Sequence, residues 1–320
     1  MESEIKNQNL SEKKINQSNN YYNNKNNKNS NIPKLKLIKS INAHNSPINS
    51  LSQFPSGNII SVSSDKSIKI YDINYIIIQI IQNAHNDFIT HVDVKNENNF
   101  VTCSLKIIIT WIKNENVFKI NKRINNAHND YINKVIYYLN DYLISCSCDN
   151  SIKIWEEKEM NYQLIISLKH SHIVYSILVI NNKNLLISVG YDNIKLWNLN
   201  NFELIKHFEE TECFTLSKID DDRIIINKGK SFKIISLSEK KIINEIIIPF
   251  WCLGMSSIKK IGVFLAGGTN NYIKIYKNDN YELIQTIKDA HNDYINGFIN
   301  LKNDLIASFS YDGKIKIWKF

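Results

Sequence analysis

The sequence predicts an all-β chain of seven repeated units, and three observations carry that expectation. From Lys34 onward, branched and aromatic residues come in runs of four to seven separated by Asn, Asp, Lys and Ser, with no sustained 3.6-residue apolar period. Such runs read as strands and turns. The second observation is a repeated phrase: Ala84-His85-Asn86-Asp87-Phe88-Ile89 returns as Ala127-His128-Asn129-Asp130-Tyr131-Ile132 and as Ala290-His291-Asn292-Asp293-Tyr294-Ile295, after a divergent copy at Ala43-His44-Asn45-Ser46-Pro47-Ile48. Third, each phrase is followed by a strand that closes on an aromatic residue, as in Ser67-Ile68-Lys69-Ile70-Tyr71, Ser151-Ile152-Lys153-Ile154-Trp155 and Lys314-Ile315-Lys316-Ile317-Trp318. Taking that closing position as marker gives Tyr71, Trp111, Trp155, Trp197, Ile235, Tyr276 and Trp318, at spacings of 40, 44, 42, 38, 41 and 42. Seven units therefore fill the chain.

Taken in order, residues 1–33 are expected to be a disordered Asn- and Lys-rich tail, because they hold too few branched apolar side chains to offset the entropy of ordering. The alternative reading of that segment is that Lys13, Lys14, Lys25 and Lys28 grip an acidic partner. Residues 34–320 carry the repeats. Asparagine is expected to serve most turns, since the chain has only nine glycines and Asn tolerates left-handed backbone. The 43% hydrophobic and 22% charged content excludes collagen-like and wholly disordered chains. The longest apolar run, Ile246 to Met255, contains Pro249 and Gly254 and is ten residues long, so no membrane span is expected.

The formal net charge of +8 suggests nucleic acid, but eight lysines and three glutamates of residues 1–39 supply most of it, leaving 31 basic and 28 acidic residues in the body. The five cysteines form no C-x-x-C pair, and the polar start Met1-Glu2-Ser3-Glu4 is unlike a secretory leader. A cytoplasmic or nuclear location is expected.

A period near 40 to 45 residues with His early and Trp late resembles the WD40 repeat, over residues 34–320. The resemblance implies a seven-bladed β-propeller, each unit being one four-stranded blade. It also implies a hydrogen-bonded tetrad of His, Asp, Ser or Thr, and Trp in each blade. Carried over, these structural tetrads are His128, Asp149, Ser145 and Trp155 in the third unit, and His291, Asp312, Ser308 and Trp318 in the seventh. The fourth offers His170, Asp192, Ser188 and Trp197, and the first His44, Asp65, Ser61 and Tyr71, with a phenol in place of indole. The second keeps His85, Thr102 and Trp111 but has Lys106 where Asp is expected, and units five and six are degenerate. The Trp-Asp dipeptide survives only as Tyr71-Asp72. Because the chain stops at Phe320, directly after the third strand of the last unit, Lys34 to Ile41 is expected to return as its missing fourth strand and close the ring.

A Ser, a His and an Asp in one unit could form a hydrolase triad, but the set recurs in four units without a nucleophile elbow, so no catalytic residue is assigned. His170-Ser171-His172 lacks a second ligand pair, Asp220-Asp221-Asp222 reads as a hairpin turn, and Gly267-Gly268 continues into no phosphate loop. No metal and no cofactor are expected. What remains is partner binding. The resemblance implies contact positions around the central opening, three and five residues after each His and just before each tetrad Asp. Its aromatic members form the expected partner-binding face: Phe88, Tyr131, Tyr175, Tyr191, Phe214, Trp251, Tyr294 and Tyr311. The same rule marks Pro47, Asn49, Ser64, Thr90, Asn133, Cys148, Ile173, Glu212, Leu253 and Asn296. The leading function is a non-catalytic scaffold or adaptor that binds other proteins or peptides, as a subunit of a multiprotein complex. The alternative is an RNA- or ribonucleoprotein-associated propeller that uses its basic tail, with patches near Lys122-Arg123 and Lys259-Lys260.

Overall fold

A computed structural model describes residues 32–320, so nearly all of the expected tail lies outside the described residues. Among the described residues, seven four-stranded antiparallel sheets follow one another in chain order, and two single-turn helices are the exceptions. The architecture is a seven-bladed propeller. In six blades the four strands are consecutive: Ile132–Tyr138, Tyr142–Ser147, Ser151–Glu157 and Tyr162–Lys169 form the third. Units five and six, degenerate in sequence, each build four strands as well, over Cys213–Ile247 and Cys252–Ile287.

Burial explains the strand pattern. The second strand of each blade is shielded on both faces, as in Ile59–Ser63 and Val263–Gly268, and reads as an unbroken small or apolar run. The outermost strands, such as Ile77–Ile81 and Lys241–Ile247, have one sheet edge and much of their side-chain surface in solvent. The apolar core lies between blades. Phe54, Ile60 and Ile70 of blade one pack with Val92, Phe100 and Trp111 of blade two, and Leu51, Ile59 and Tyr71 pack on the other side with Ala307, Phe309 and Ile317 of blade seven. A single blade would leave both of these surfaces wet, so the ring stabilises itself only when complete.

Closure is made by the strand Lys36–Asn42, which completes the sheet of Ile295–Asn300, Leu305–Ser310 and Lys314–Lys319. Leu37 lies opposite Trp318 and Ile41 opposite Ile315, with a bulge between Leu37 and Lys39. Gln285 of blade six clamps the start of this strand with two bonds, accepting from the Leu35 amide at 3.0 Å and donating to its carbonyl at 3.2 Å. Gln79 makes the same pair with Phe118, between the outer strands of blades one and two.

Among the described residues, eighteen non-glycine residues adopt positive φ, and seven are Asn, against four glycines. Asparagine thus carries more of the left-handed turns than glycine does. Gly313 is a position that needs its hydrogen: a Cβ there would sit 2.1 Å from the carbonyl oxygen of His44, while the Ala43 and His44 amides donate to the Gly313 carbonyl at 3.0 and 2.9 Å.

Deleting residues 36–42 leaves Lys314–Lys319 as an open apolar edge. Thermal denaturation followed by light scattering is expected to show loss of the cooperative transition and aggregation at lower temperature. An unchanged midpoint would show that the seam is dispensable.

Candidate partner-binding face

The face is positioned by the loops that carry the His phrase, and each loop is held by the same polar chain. In blade three, Trp155 Nε1 donates to Ser145 Oγ at 2.9 Å, Ser145 Oγ lies 2.7 Å from His128 Nε2, and His128 Nδ1 lies 2.9 Å from Asp149. Asp149 also accepts from Ser151 Oγ at 2.5 Å and from the Asn129 amide at 2.9 Å. With His128 Nδ1 donating to the carboxylate, Nε2 accepts from the Ser145 hydroxyl, and the hydroxyl in turn accepts from indole. Blade seven repeats the chain through Trp318, Ser308, His291 and Asp312, and blade four through Trp197, Ser188, His170 and Asp192.

Blade one departs from it. His44 bonds Ser61 at 2.7 Å and Asp65 at 2.8 Å, but the buried hydroxyl of Tyr71 has no hydrogen-bond partner. Tyr71 fills the place of the indole by packing among apolar residues and does not join the polar chain. Blade two keeps Trp111 to Thr102 and Thr102 to His85, each at 2.8 Å, and stops there, since Lys106 stands in the place of Asp. In blade six three of the corresponding positions hold Ile248, Ala266 and Tyr276, which join one cluster, with Tyr276 stacked on Phe264 at 5.0 Å. Packing holds together there what the polar chain holds elsewhere.

The lysine of the Ile-Lys-Ile phrase has a role that sequence reasoning missed. Lys69, Lys153 and Lys316 each donate to the carbonyl of the alanine before the tetrad His at 2.6 Å, and Lys195 to the Lys169 carbonyl at 2.8 Å. Its recurrence at one register position was the available signal.

Protonation follows from burial. Burial pushes the His128, His170 and His291 imidazoles below their ordinary value, and the partner carboxylate only partly offsets it, so each is neutral. Burial raises the Asp149 carboxyl, but bonds from His128, Ser151 and the Asn129 amide outweigh that and hold it well below the usual range. His85 has no carboxylate, and burial together with the Arg123 charge takes it down to about 3.

The aromatic positions meet around a 690 Å³ opening on the axis, bordered by Phe88, Tyr175, Phe214 and Tyr311. Phe88 stacks on Tyr131 at 5.5 Å, and Tyr294 leans on Tyr311 at 5.9 Å. Tyr175, Phe214 and Trp251 form a continuous run over blades four to six, with centroids 5.0 and 5.8 Å apart, while Tyr191 packs edge-on against His172. Tyr131, Tyr191, Trp251, Tyr294 and Tyr311 are exposed, and Phe88, Tyr175 and Phe214 are half-buried.

Four of the other marked positions are not free for a partner. Asn49 donates to the Ile89 carbonyl at 2.8 Å, Thr90 to Ile132 at 2.7 Å, Asn133 to Val174 at 2.8 Å and Asn296 to Ile48 at 3.1 Å. Each is a clasp from the innermost strand of one blade to the next. In blades four, five and six the same position holds Tyr175, Phe214 and Leu253, and the side chain is left to the opening.

Other candidates resolve into structure. His170 belongs to a tetrad, and the Asp220, Asp221 and Asp222 carboxylates engage Arg223, Lys218 with Lys259, and Lys183 respectively. Among the described residues, no group of three or more His, Cys, Asp or Glu is placed to hold a metal ion, and no helix is long and apolar enough to cross a membrane.

Comparison with known proteins agrees with this geometry. The family model for the WD domain, G-beta repeat, matches residues 35–72, 121–156 and 281–319, which are the closing strand with blade one, blade three and blade seven. The crystal structure of the WD40 β-propeller domain of Doa1 superposes with a TM-score of 0.72 over 89% of this chain and 97% of that one, at 17% identity. The chain is a WD40-repeat β-propeller. WD40 propellers are in general protein-interaction scaffolds. A stretch of 62 residues is 42% identical to nuclear distribution protein nudF of Aspergillus flavus, and equally to that of Aspergillus oryzae, covering 19% of this WD40 chain. The chain spans 13% of the length of those relatives.

Ser145→Ala strands His128 Nε2 and Trp155 Nε1 together and is expected to cost about 1 to 3 kcal/mol in urea unfolding. Tyr71→Phe removes a hydroxyl without a partner and is expected to change stability by less than about 0.5 kcal/mol. Equal costs would contradict the assignment.

The depressed value of His85 gives a pH dependence. Unfolded, this imidazole binds a proton from about pH 6.5 downward, whereas folded it resists until about 3. Its contribution is complete above about pH 6.5 and is lost as pH falls toward 3. The urea midpoint should drop between pH 7 and 4, and His85→Gln should flatten that slope. A parallel slope in the variant would rule this out.

Proposed function

We propose that this propeller is a non-catalytic docking subunit of a multiprotein complex and that it holds a protein partner on the aromatic run over blades four to six. The observation that carries this reading is the contrast between neighbouring blades. All seven positions border the opening, but Asn49, Thr90, Asn133 and Asn296 each donate to a carbonyl of the next blade, whereas Tyr175, Phe214 and Leu253 present apolar surface to it. Trp251 continues the run with 41% of its surface exposed, against Gly229, where an added Cβ would lie 3.7 Å from the indole. Large rings held by a rigid scaffold lose little entropy on binding, which is why they dominate hot spots. The partial relatedness to nudF, a nuclear distribution protein, is compatible with a subunit role. Five free cysteines, four of them buried, support a reducing compartment, the cytoplasm or nucleus.

The nucleic-acid reading gains no support from the lysines that suggested it. Lys259 pairs with Asp221 at 3.0 Å, Lys260 with Asp304 at 2.5 Å and Lys122 with Glu157 at 2.9 Å.

Phe214→Ala with Trp251→Ala should reduce co-purification of the partners of the wild-type chain by roughly tenfold or more. The thermal midpoint should stay within a few degrees. Phe88→Ala with Tyr131→Ala should have a smaller effect. Undiminished recovery with the first pair, in a folded protein, would reject this face.

A further inference from the structure

One level of the axial channel has a composition that partner docking does not use. The residue after the irregularity in the innermost strand is Ser50 in blade one, Lys134 in blade three, Ser176 in blade four and Thr215 in blade five, each opposite the matching position of its second strand. His91 occupies that position in blade two, opposite Cys103. All five border the 690 Å³ opening. His91 and Lys134 also border a 450 Å³ cavity toward the other mouth, so both cavities reach this level. On the remaining arc stand Gly254 and Gly297, where a Cβ on Gly254 would come 2.3 Å from the Gly297 Cα. Blades six and seven close there without side chains, and the polar groups occupy the rest of the circle.

Lys134 is the cation of this ring. Burial lowers its affinity for the proton, and Cys146 and the Asp93 charge partly offset that. Nδ1 of His91 is shut off from solvent without a hydrogen-bond partner. The nearby carboxylate, Asp93, accepts from the Tyr137 amide at 2.8 Å and lies toward the second cavity. Lys134, the His91 imidazole and the hydroxyls of Ser50, Ser176 and Thr215 border one opening, and these are groups from which an oxyanion can accept.

We propose that this level of the channel is a binding site for a small oxyanion of phosphate type, with Lys134 as its charge partner and His91, Ser50, Ser176 and Thr215 as hydrogen-bonding groups. Asp93 opposes the ligand and sets a ceiling on its affinity. The ring shares the 690 Å³ opening with Tyr175 and Phe214 but uses neither side chain, so phosphate binding is read without a docked partner and its failure leaves the proposed docking untouched.

Inorganic phosphate, titrated into the full chain at pH 7.5 with sodium chloride holding ionic strength constant, tests this by calorimetry and by the thermal midpoint. The wild type should gain stability from phosphate beyond that given by chloride, as a ligand of the folded state does. Lys134→Met should weaken phosphate binding by roughly tenfold or more, the loss of one charge-assisted contact. Asp93→Asn should tighten it by roughly threefold, a gain that a misfolded variant would not produce. Lys259→Met, on the surface, should leave it unchanged. No gain over chloride in the wild type, equal binding by Lys134→Met, or unimproved binding by Asp93→Asn would each overturn the proposal.

Discussion

A ring of sheets whose apolar surface lies between neighbours has nowhere to stop short of closure. Every blade offers one face forward and one face back, and the forward face of blade seven meets blade one only if the chain ends are joined. The join here is the pairing of residues 36–42 with 314–319, aided by the two bonds from Gln285 to Leu35. It links positions almost a chain length apart, and loop closure of that span must be met before the contacts reward it. The tetrads, clasps and face presuppose this seam, because they hold loops whose spacing the closed circle sets.

Within the closed ring, local order is divided between two physical solutions. Blades three, four and seven use the full chain of indole, hydroxyl, imidazole and carboxylate, and blades one and two use parts of it. Blade six uses Ile248, Ala266 and Tyr276 in an apolar cluster, and blade five has Ile226 and Ile235 buried with Lys233 paired to Glu245 at 2.8 Å. Among the described residues, both solutions leave some buried polar atoms without a partner, the Tyr71 hydroxyl in blade one and the side-chain oxygens of Asn227 and Asn271 in blades five and six among them. The inter-blade clasps follow a similar division. Five residues after the His they run through Asn or Thr in blades one, two, three and seven, while Tyr175, Phe214 and Leu253 hold that position in blades four to six and Asn227, from the second strand of blade five, donates to the Cys252 carbonyl instead. The asymmetry of the face is therefore a by-product of how the blades are tied.

The strand pattern, the repeat count and the returning first strand were legible in the sequence because they rest on side-chain type at fixed intervals. His128, Ser145, Asp149 and Trp155 were placed by the resemblance to the WD40 repeat, whose motif they match residue by residue. Less accessible were contacts whose second partner is backbone. Asn49, Thr90, Asn133 and Asn296 read as surface positions, since nothing in their identity announces that a neighbouring carbonyl is 2.7 to 3.1 Å away. The lysines of the Ile-Lys-Ile phrase were hidden likewise. Tyr71 was misleading in another way: a phenol can substitute for indole in shape while failing to reach the hydroxyl that indole would bond.

The proposed docking and the proposed anion site both require a rigid, closed ring. Native-state hydrogen exchange at the amides of residues 36–42 and 314–319 tests that directly. Closure as described predicts that the hydrogen-bonded amides on both sides of the seam exchange only with global unfolding, together with those of central strands such as Tyr142–Ser147. Exchange of the seam at the rate of exposed loops, while the central strands stay protected, would contradict it.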